Sequence, residues 1–341
     1  MTPKLEQVVR VWEVVAIERH VSAPLGRWGG RPAHDRCLLA RAFVAKAVYD
    51  LATTTALIEL LKTNRSLRIL CGFESIASIP SEATFSRAFD EFSAYGLADM
   101  VHAALVHEHI GDQIVMHASY DSTEVVARER PVQKEKKAKE KRKRGRPKKG
   151  EERPAPEPKR LDIQLKQTAQ EAFRDLPKGC DFGTKNDTSG HKHTWKGYKA
   201  HIAWSDGGIP IAVATTSASV HDSQVVIPLM RTVASRVTSL YDLADSAYDA
   251  PQIRQVSRQL GHVPIVDANP RRGEVSEEKL FDPAMSQRYK ERTTAERGNS
   301  RLKDEFGLRH LRVRGNPKVH LHIMLGIVAL FADQLLKPLT G

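Results

Sequence analysis

Three carboxylates in this 341-residue chain stand where acid chemistry is easily built. Asp121 closes the strand-like run QIVMHASYDST, and Asp245 closes SLYDLADSAYD. Glu296 projects from the helix-forming stretch YKERTTAERGNSRLK. Strand ends are where sheet proteins usually place their chemistry. In the helical stretch, Tyr289, Arg292, Glu296 and Lys303 occupy offsets 0, 3, 7 and 14. At about 100° per residue these fall near 0°, −60°, −20° and −40°, so the four share one narrow polar stripe.

Three such carboxylates can converge on two divalent cations. Their hard oxygens suit Mg²⁺ or Mn²⁺, which keep several waters and bridge phosphate oxygens. Two ions about 4 Å apart can activate an attacking oxygen and stabilise a leaving one. Each residue also has an ordinary explanation. An aspartate after a strand commonly caps or turns, and a charged helix face with a Glu–Arg pair is commonly only solvated. Asp222, Asp242 and Asp249 fit the cap or turn explanation. His191 and His193 form a loop pair and His221 precedes a helix start. With no further His or Cys at ligand spacing, all three read as polar or phosphate-side residues. Cys37, Cys71 and Cys180 lie far apart, which points away from a disulfide framework or zinc site and fits a reducing cytoplasm.

The elements that must hold these residues follow from periodicity. Residues 1–110 read as helical. Leu38, Leu39, Phe43, Val44, Ala47 and Val48 recur at helical spacing, as do Phe85, Phe89 and Phe92. Thr53 or Thr54 can cap TALIELLKTN, and Pro80 and Ser81 open SEATFSRAFDEF, where Gly96 offers a stop. Two such helices joined by a turn can read DNA or serve only as scaffold. After Asp121, HTWKGYKAHIAWSDGGIPIAVATT reads as a β-hairpin about SDGG, and Asp222 or Ser223 caps a helix. A strand to Asp245, a helix stopped by Gly261 and the strand HVPIVDANP follow. The order predicts a mixed α/β layer flanked by helices. The apolar run VHLHIMLGIVALFADQLL is broken by His320, His322 and Asp333, so a buried helix is expected rather than a membrane span. MTPKLEQVVR has no apolar secretory region.

Charge is concentrated. Residues 131–160 hold 14 Lys/Arg and 5 Glu, a net of +9 out of +12 for the chain. A near-neutral body with one basic segment points to a polyanion partner, most simply nucleic acid. The segment lacks apolar residues, so it is expected to be a disordered linker or excursion. Within it, Arg144-Gly-Arg146-Pro147 resembles the core of an AT-hook, whose arginines lie in narrow A·T minor grooves. A sticky tether is the alternative.

The combination resembles the DDE transposases of bacterial insertion sequences, in the group marked by a Y-x2-R-x3-E-x6-K signature. Tyr289, Arg292, Glu296 and Lys303 match its four positions, YDST its first aspartate motif and LADSAYD its second. GYKAHI followed by HDS is similar to its intervening segment. RAFVAKAVYDL, LRILCGF and PSEATFSRAFDEF resemble the helical domain that precedes many such cores. The resemblance implies an α/β fold: a ribonuclease H-like catalytic core, a mixed sheet flanked by helices, after an all-helical N-terminal domain. It implies a catalytic, metal-binding triad of Asp121, Asp245 and Glu296 with two Mg²⁺ or Mn²⁺ ions. Tyr289, Arg292 and Lys303 would contact DNA. Some relatives carry a large β-rich insertion between the second aspartate and the glutamate. Here only 51 residues separate Asp245 from Glu296, so there is no room for one.

The domains expected are 1–110, helical and DNA-binding; 111–315, catalytic and interrupted at 131–160; and 316–341, a C-terminal helix. The function expected is metal-dependent cleavage of DNA at terminal inverted repeats, followed by 3′-OH strand transfer. The partners expected are double-stranded DNA and a second copy in a synaptic homodimer, in a cytoplasmic setting without a membrane. The alternatives are a nuclease of this architecture without strand transfer, and a non-catalytic protein that binds A·T-rich DNA.

Overall fold

The computed structural model describes residues 1–22, 34–133, 157–186, 189–269 and 280–337; Arg144, Arg146 and most of the basic segment lie outside these. Six helices come first: α1 (Pro3–Val15), α2 (Arg36–Val48), α3 (Thr54–Thr63), α4 (Arg65–Leu70), α5 (Glu82–Tyr95) and α6 (Leu97–Ile110). Polar side chains start four of them. Thr2, Asp35, Thr53 and Asn64 each accept a hydrogen bond from a first-turn N–H that has no partner in the helix. Gly96, at φ +70°, ends α5 in the left-handed region that a glycine enters without strain. The periodic phenylalanines are the bundle's core: Phe43 meets Phe85, Phe89 and Phe92 edge to face, at centroid distances of 5.7, 5.1 and 6.3 Å.

Among the described residues, six strands form one mixed sheet. They are β1 (Ile114–Val126), β2 (Asp181–Asn186), β3 (Lys192–Trp204), β4 (Pro210–Ser217), β5 (Thr238–Ala244) and β6 (Val263–Val266). Short helices α7 (Arg160–Gln164) and α8 (Ala169–Arg174) precede β2. The strand β3 runs antiparallel to β1, β2 and β4, whereas β1, β5 and β6 are mutually parallel. The path β4–β3–β1–β5–β6 is therefore an antiparallel hairpin laid beside a parallel half, the ribonuclease H-like arrangement that the resemblance implied. Helix α9 (Ser223–Ala234) packs on β3, β4 and β5, and α10 (Pro251–Gln259) packs on β6. After α11 (Pro283–Tyr289), α12 (Thr293–Glu305) packs on β1 and β3.

The last helix, α13 (Asn316–Leu335), packs on β4 and on α1, α2, α5 and α6. It is long and apolar enough to cross a membrane, yet 72% of its apolar window is buried inside this bundle. Burial among helices explains an apolar run that keeps His320 and His322. His320 meets Asp99 at 2.8 Å and His322 meets the Gly307 carbonyl at 2.9 Å.

The elements differ from the sequence reading in three places. Asp121 lies in the middle of its strand rather than at its end, because β1 pairs with β3 as far as Val126. The helical stretch 289–303 is not one α-helix: a 3₁₀ turn, Lys290–Arg292, joins α11 to α12. Strand β2 had no period of its own to reveal it, since Lys185 and Thr184 are exposed beside a packed Gly183.

Candidate active site

Adjacent parallel strands bring the first two carboxylates together. In β1, Asp121 stands beside β5, whose next residue after Ala244 is Asp245. Asp245 caps the 3₁₀ turn Ser246–Tyr248, and its Oδ1 accepts from the Ala247 N–H at 2.8 Å. Burial, with the charge of Asp245 beside it, pushes the Asp121 carboxyl up to about 6. Burial also raises Asp245, and the charges of Asp222 and Asp267 add to the effect. Under them lies Tyr248, whose ring is 3% exposed. Buried like charges of this kind favour protonation unless a cation neutralises them.

The helix α12 approaches from the other side. Asn299 donates from Nδ2 to Asp121 Oδ2 at 2.9 Å, and its own Oδ1 is buried with no donor. Arg292 donates from Nη2 to Glu296 Oε1 at 2.6 Å. Burial works against the Arg292 charge, but Tyr289 and the carboxylates of Asp121, Glu296 and Asp245 more than offset it. The guanidinium also lies 5.9 Å from the Tyr289 ring centroid, within cation–π reach. Lys303, two turns on, points at Glu124 at 3.7 Å. The polar stripe is therefore real in space. Arg292, Glu296, Asn299 and Lys303 all face β1 or one another, and Tyr289 joins them across the 3₁₀ turn.

The donor set suits a hard divalent cation. Asp121 and Asp245 present carboxylate oxygens that repel each other, and Asn299 Oδ1 is an oxygen still wanting a positive partner. Glu296 does not point at them. It is turned to Arg292, with 55% of its side chain exposed, and among the described residues no three His, Cys, Asp or Glu groups close on one point. Arg292 takes the neutralising role that a cation would take.

Four residues belong to this cluster that the sequence reading set aside or did not single out. Asp222 begins α9 but makes no capping bond, since its carboxylate is turned inward. Lys199 Nζ donates to its Oδ1 at 2.9 Å and to the Val220 carbonyl at 3.0 Å. His201 lies 3.8 Å from the same oxygen. Burial raises Asp222, yet His201, Lys199 and the Ser122 hydroxyl outweigh it and hold the carboxyl low. Burial drops His201 to about 4, so this imidazole is neutral. The cap explanation fails for Asp222 because β3 supplies it with a half-buried lysine. Lys199 and His201 are two apart in GYKAHI, the spacing at which strand side chains share a face. That signal was legible. Asn299, offset 10 from Tyr289, falls near −80°, just beyond the stripe's edge.

A family model described as Transposase DDE domain matches residues 116–332, and one described as Transposase domain (DUF772) matches residues 3–91. No curated protein and no solved structure matches the chain.

Proposed function

The chain belongs to the family of transposase DDE domains, and on that premise we propose that it cuts and rejoins DNA through Asp121, Asp245 and Glu296 acting together. Membership makes the protein a transposase, an enzyme that binds DNA and acts on it. The observation that carries the finer reading is the carboxylate pair. Asp121 and Asp245 are half-buried on neighbouring strands and both raised from their ordinary values, with the Arg292 guanidinium as their nearby positive charge.

When bound, two Mg²⁺ or Mn²⁺ ions would supply charge at the phosphate and acidify the attacking oxygen. Asp121 and Asp245 would hold them, with Asn299 fixing the Asp121 carboxylate through its Nδ2. Glu296 would join them by turning from Arg292, which its exposure on α12 permits. Arg292, released from Glu296, would then meet a phosphate with its planar fork, and Lys303 would meet one as a point charge. Tyr289 would hold the arginine from below. In this reading the N-terminal helices and the segment with Arg144 and Arg146 recognise the element's terminal inverted repeats. One site must serve two ends and a target, so a homodimer holds them together.

The test uses a labelled duplex carrying the DNA end that flanks the reading frame. Wild type and Glu296→Gln are each incubated with Mg²⁺, Mn²⁺ or EDTA, and nicks and joined 3′ ends are mapped. The expected result is a metal-dependent nick at the repeat boundary, absent in the variant, followed by joining into target DNA. A nick without joining would reduce the protein to a nuclease. Tight binding with no nick in either metal would leave a DNA-binding protein only.

A further inference from the structure

Strand β3 is longer than the sheet requires. From Lys192 to Trp195 its ladder partner is β2 alone, because its pairing with β1 and β4 starts at Gly197 and Tyr198. Gly197, at φ +153°, is the pivot: a side chain there would run into the Val125 carbonyl. Beyond it β2 and β3 continue as a two-stranded ribbon.

Directly opposed residues of an antiparallel pair share a face. Phe182 with Lys196 and Thr184 with Thr194 make one face, on which Phe182, Thr184, Thr194 and Lys192 are exposed. The two threonine hydroxyls lie 3.4 Å apart. Gly183 with Trp195 and Lys185 with His193 make the other. Trp195 closes that face at the root, where it is 6% exposed and stacked with His193. Nearer the tip, Lys185, His193 and Lys303 meet around one carboxylate, Glu124, at 2.9, 3.4 and 3.7 Å. One acid between two lysines leaves an excess of positive charge, with the His193 imidazole beside them. This excess stands out because the chain outside residues 131–160 carries a net charge of only +3.

The position matters as much as the charge. Glu124 is three residues along β1 from Asp121, about 10 Å at 3.3 Å per residue. Lys303 is seven residues along α12 from Glu296, again about 10 Å at 1.5 Å per residue. Helix α12 thus leads from Glu296 to the ribbon, and β1 brings Glu124 to the same end, on the face opposite Asp121 by its odd offset.

We propose that the β2–β3 ribbon is a phosphate-gripping arm for duplex DNA, holding the backbone beside the phosphodiester presented to Asp121 and Asp245. Its place beside the cut rests on the DNA-cleaving function proposed above; its grip on phosphates does not. Lysine and threonine side chains are ordinary phosphate donors, and a two-stranded ribbon fits a DNA groove. The competing explanation is that lysines on an edge strand merely discourage pairing between sheets, which would leave DNA affinity untouched.

The experiment compares full-length wild type with the combined variant Lys185→Ala/Lys192→Ala/Lys196→Ala. Dissociation constants are measured across a salt series on the element-end duplex and on an unrelated duplex of equal length. Each phosphate contact contributes about 0.9 to the slope of log K against log salt. The slope is therefore expected to fall by roughly two to three, with affinity about tenfold or more weaker on both duplexes. An unchanged slope and affinity in a variant with wild-type melting temperature would overturn the proposal. If the triple variant does not fold, Lys192→Glu takes its place: a slope lower by about one supports the arm, and an unchanged slope overturns it. Wild type that binds neither duplex would sink the arm and the DNA-cleaving function together. Wild type that binds and cuts, beside a triple variant with an unchanged slope, would sink the arm alone.

Discussion

Asp242 and Asp245 sit three residues apart in the same chain segment, and they have opposite environments. An odd offset along a strand turns side chains to opposite faces of the sheet. Asp242, 1% exposed, is saturated. Its Oδ1 accepts from the Tyr120 hydroxyl at 3.0 Å. Its Oδ2 accepts from Ser257 at 2.6 Å and meets His262 Nδ1 at 3.0 Å. Asp245 has one backbone donor, the Arg292 guanidinium nearby and three acidic neighbours, Asp121, Asp222 and Asp267. Strand β1 repeats the contrast, with Tyr120 on the Asp242 side and Asp121 on the Asp245 side. A buried carboxylate whose oxygens are all met by donors belongs to the scaffold. Half-buried carboxylates that repel one another favour protonation or a neighbouring cation, and it is on them that the proposed site rests.

The sharpest way to break this comparison is to neutralise each aspartate in turn. Asp245→Asn should lower metal-dependent nicking by on the order of 10³-fold, since a ligand charge is lost from the transition state. Its melting temperature should not fall. Asp242→Ala should do the reverse. It strands the Tyr120, Ser257 and His262 groups in the interior and should cost about 3–5 kcal/mol of stability, read from a denaturant midpoint. Nicking per folded molecule should stay within about threefold of wild type. Loss of nicking by Asp242→Ala at an intact midpoint would erase the distinction between the two faces.

The sequence made the two faces unequally legible. Strand alternation, caps at Thr53 and Gly96, and the SDGG turn are local signals, so the helical bundle and the β3–β4 hairpin could be read from them. The polar stripe was also local, because short sequence offsets fix most of its geometry, although a 3₁₀ turn parts Tyr289 and Arg292 from the α-helix that carries Glu296 and Lys303. What could not be read locally was who met whom. Asp222 looked like a cap because its neighbours Ser223 and His221 suit a helix start, and only the packing of α9 on β3 delivers Lys199 to it. Asp242 looked like a turn residue for the same reason: its donors come from β1, α10 and the residue before β6. The ribbon was hidden because β2 has no apolar alternation; its partner strand, not its own sequence, makes it a strand.

Acidity gives a second way to sharpen the contrast, smaller than the first. Burial raises Asp121 to about 6 from an ordinary value near 4. The folded protein therefore prefers this carboxyl protonated. The stabilisation is complete below about pH 4 and is lost as pH rises through about 6. In EDTA, wild type should lose up to about 3 kcal/mol between these limits from this residue, at 1.36 kcal/mol per unit. Asp121→Asn should flatten that part of the profile and be the more stable protein at pH 7.5. Mg²⁺ should then raise the wild-type melting temperature at pH 7.5 by more than that of the variant. A variant as pH-sensitive as wild type would place the strain elsewhere than Asp121.

The smallest effect tests whether the Lys199–Asp222 pair belongs to the scaffold or to the site. Lys199 touches neither Asp121 nor Asp245 in the contacts described, but Asp222 links it to both: Ser122 on one side, the field at Asp245 on the other. Lys199→Met keeps most of the side-chain volume and removes the ammonium. Asp222 is then left short of its closest cation and adds its charge more fully to the Asp121–Asp245 cluster. Partners that orient ligands typically change metal affinity or rate 10- to 100-fold. Nicking should fall by that factor, and the Mn²⁺ concentration for half-maximal activity should move with it. Adding Asp222→Asn should recover the stability lost by the single variant, because the unpaired charge is gone, without returning the rate to wild type. If the double variant recovered both together, the pair would be a structural brace. If it recovered stability alone, Asp222 would stand with the carboxylates of the site and not with Asp242.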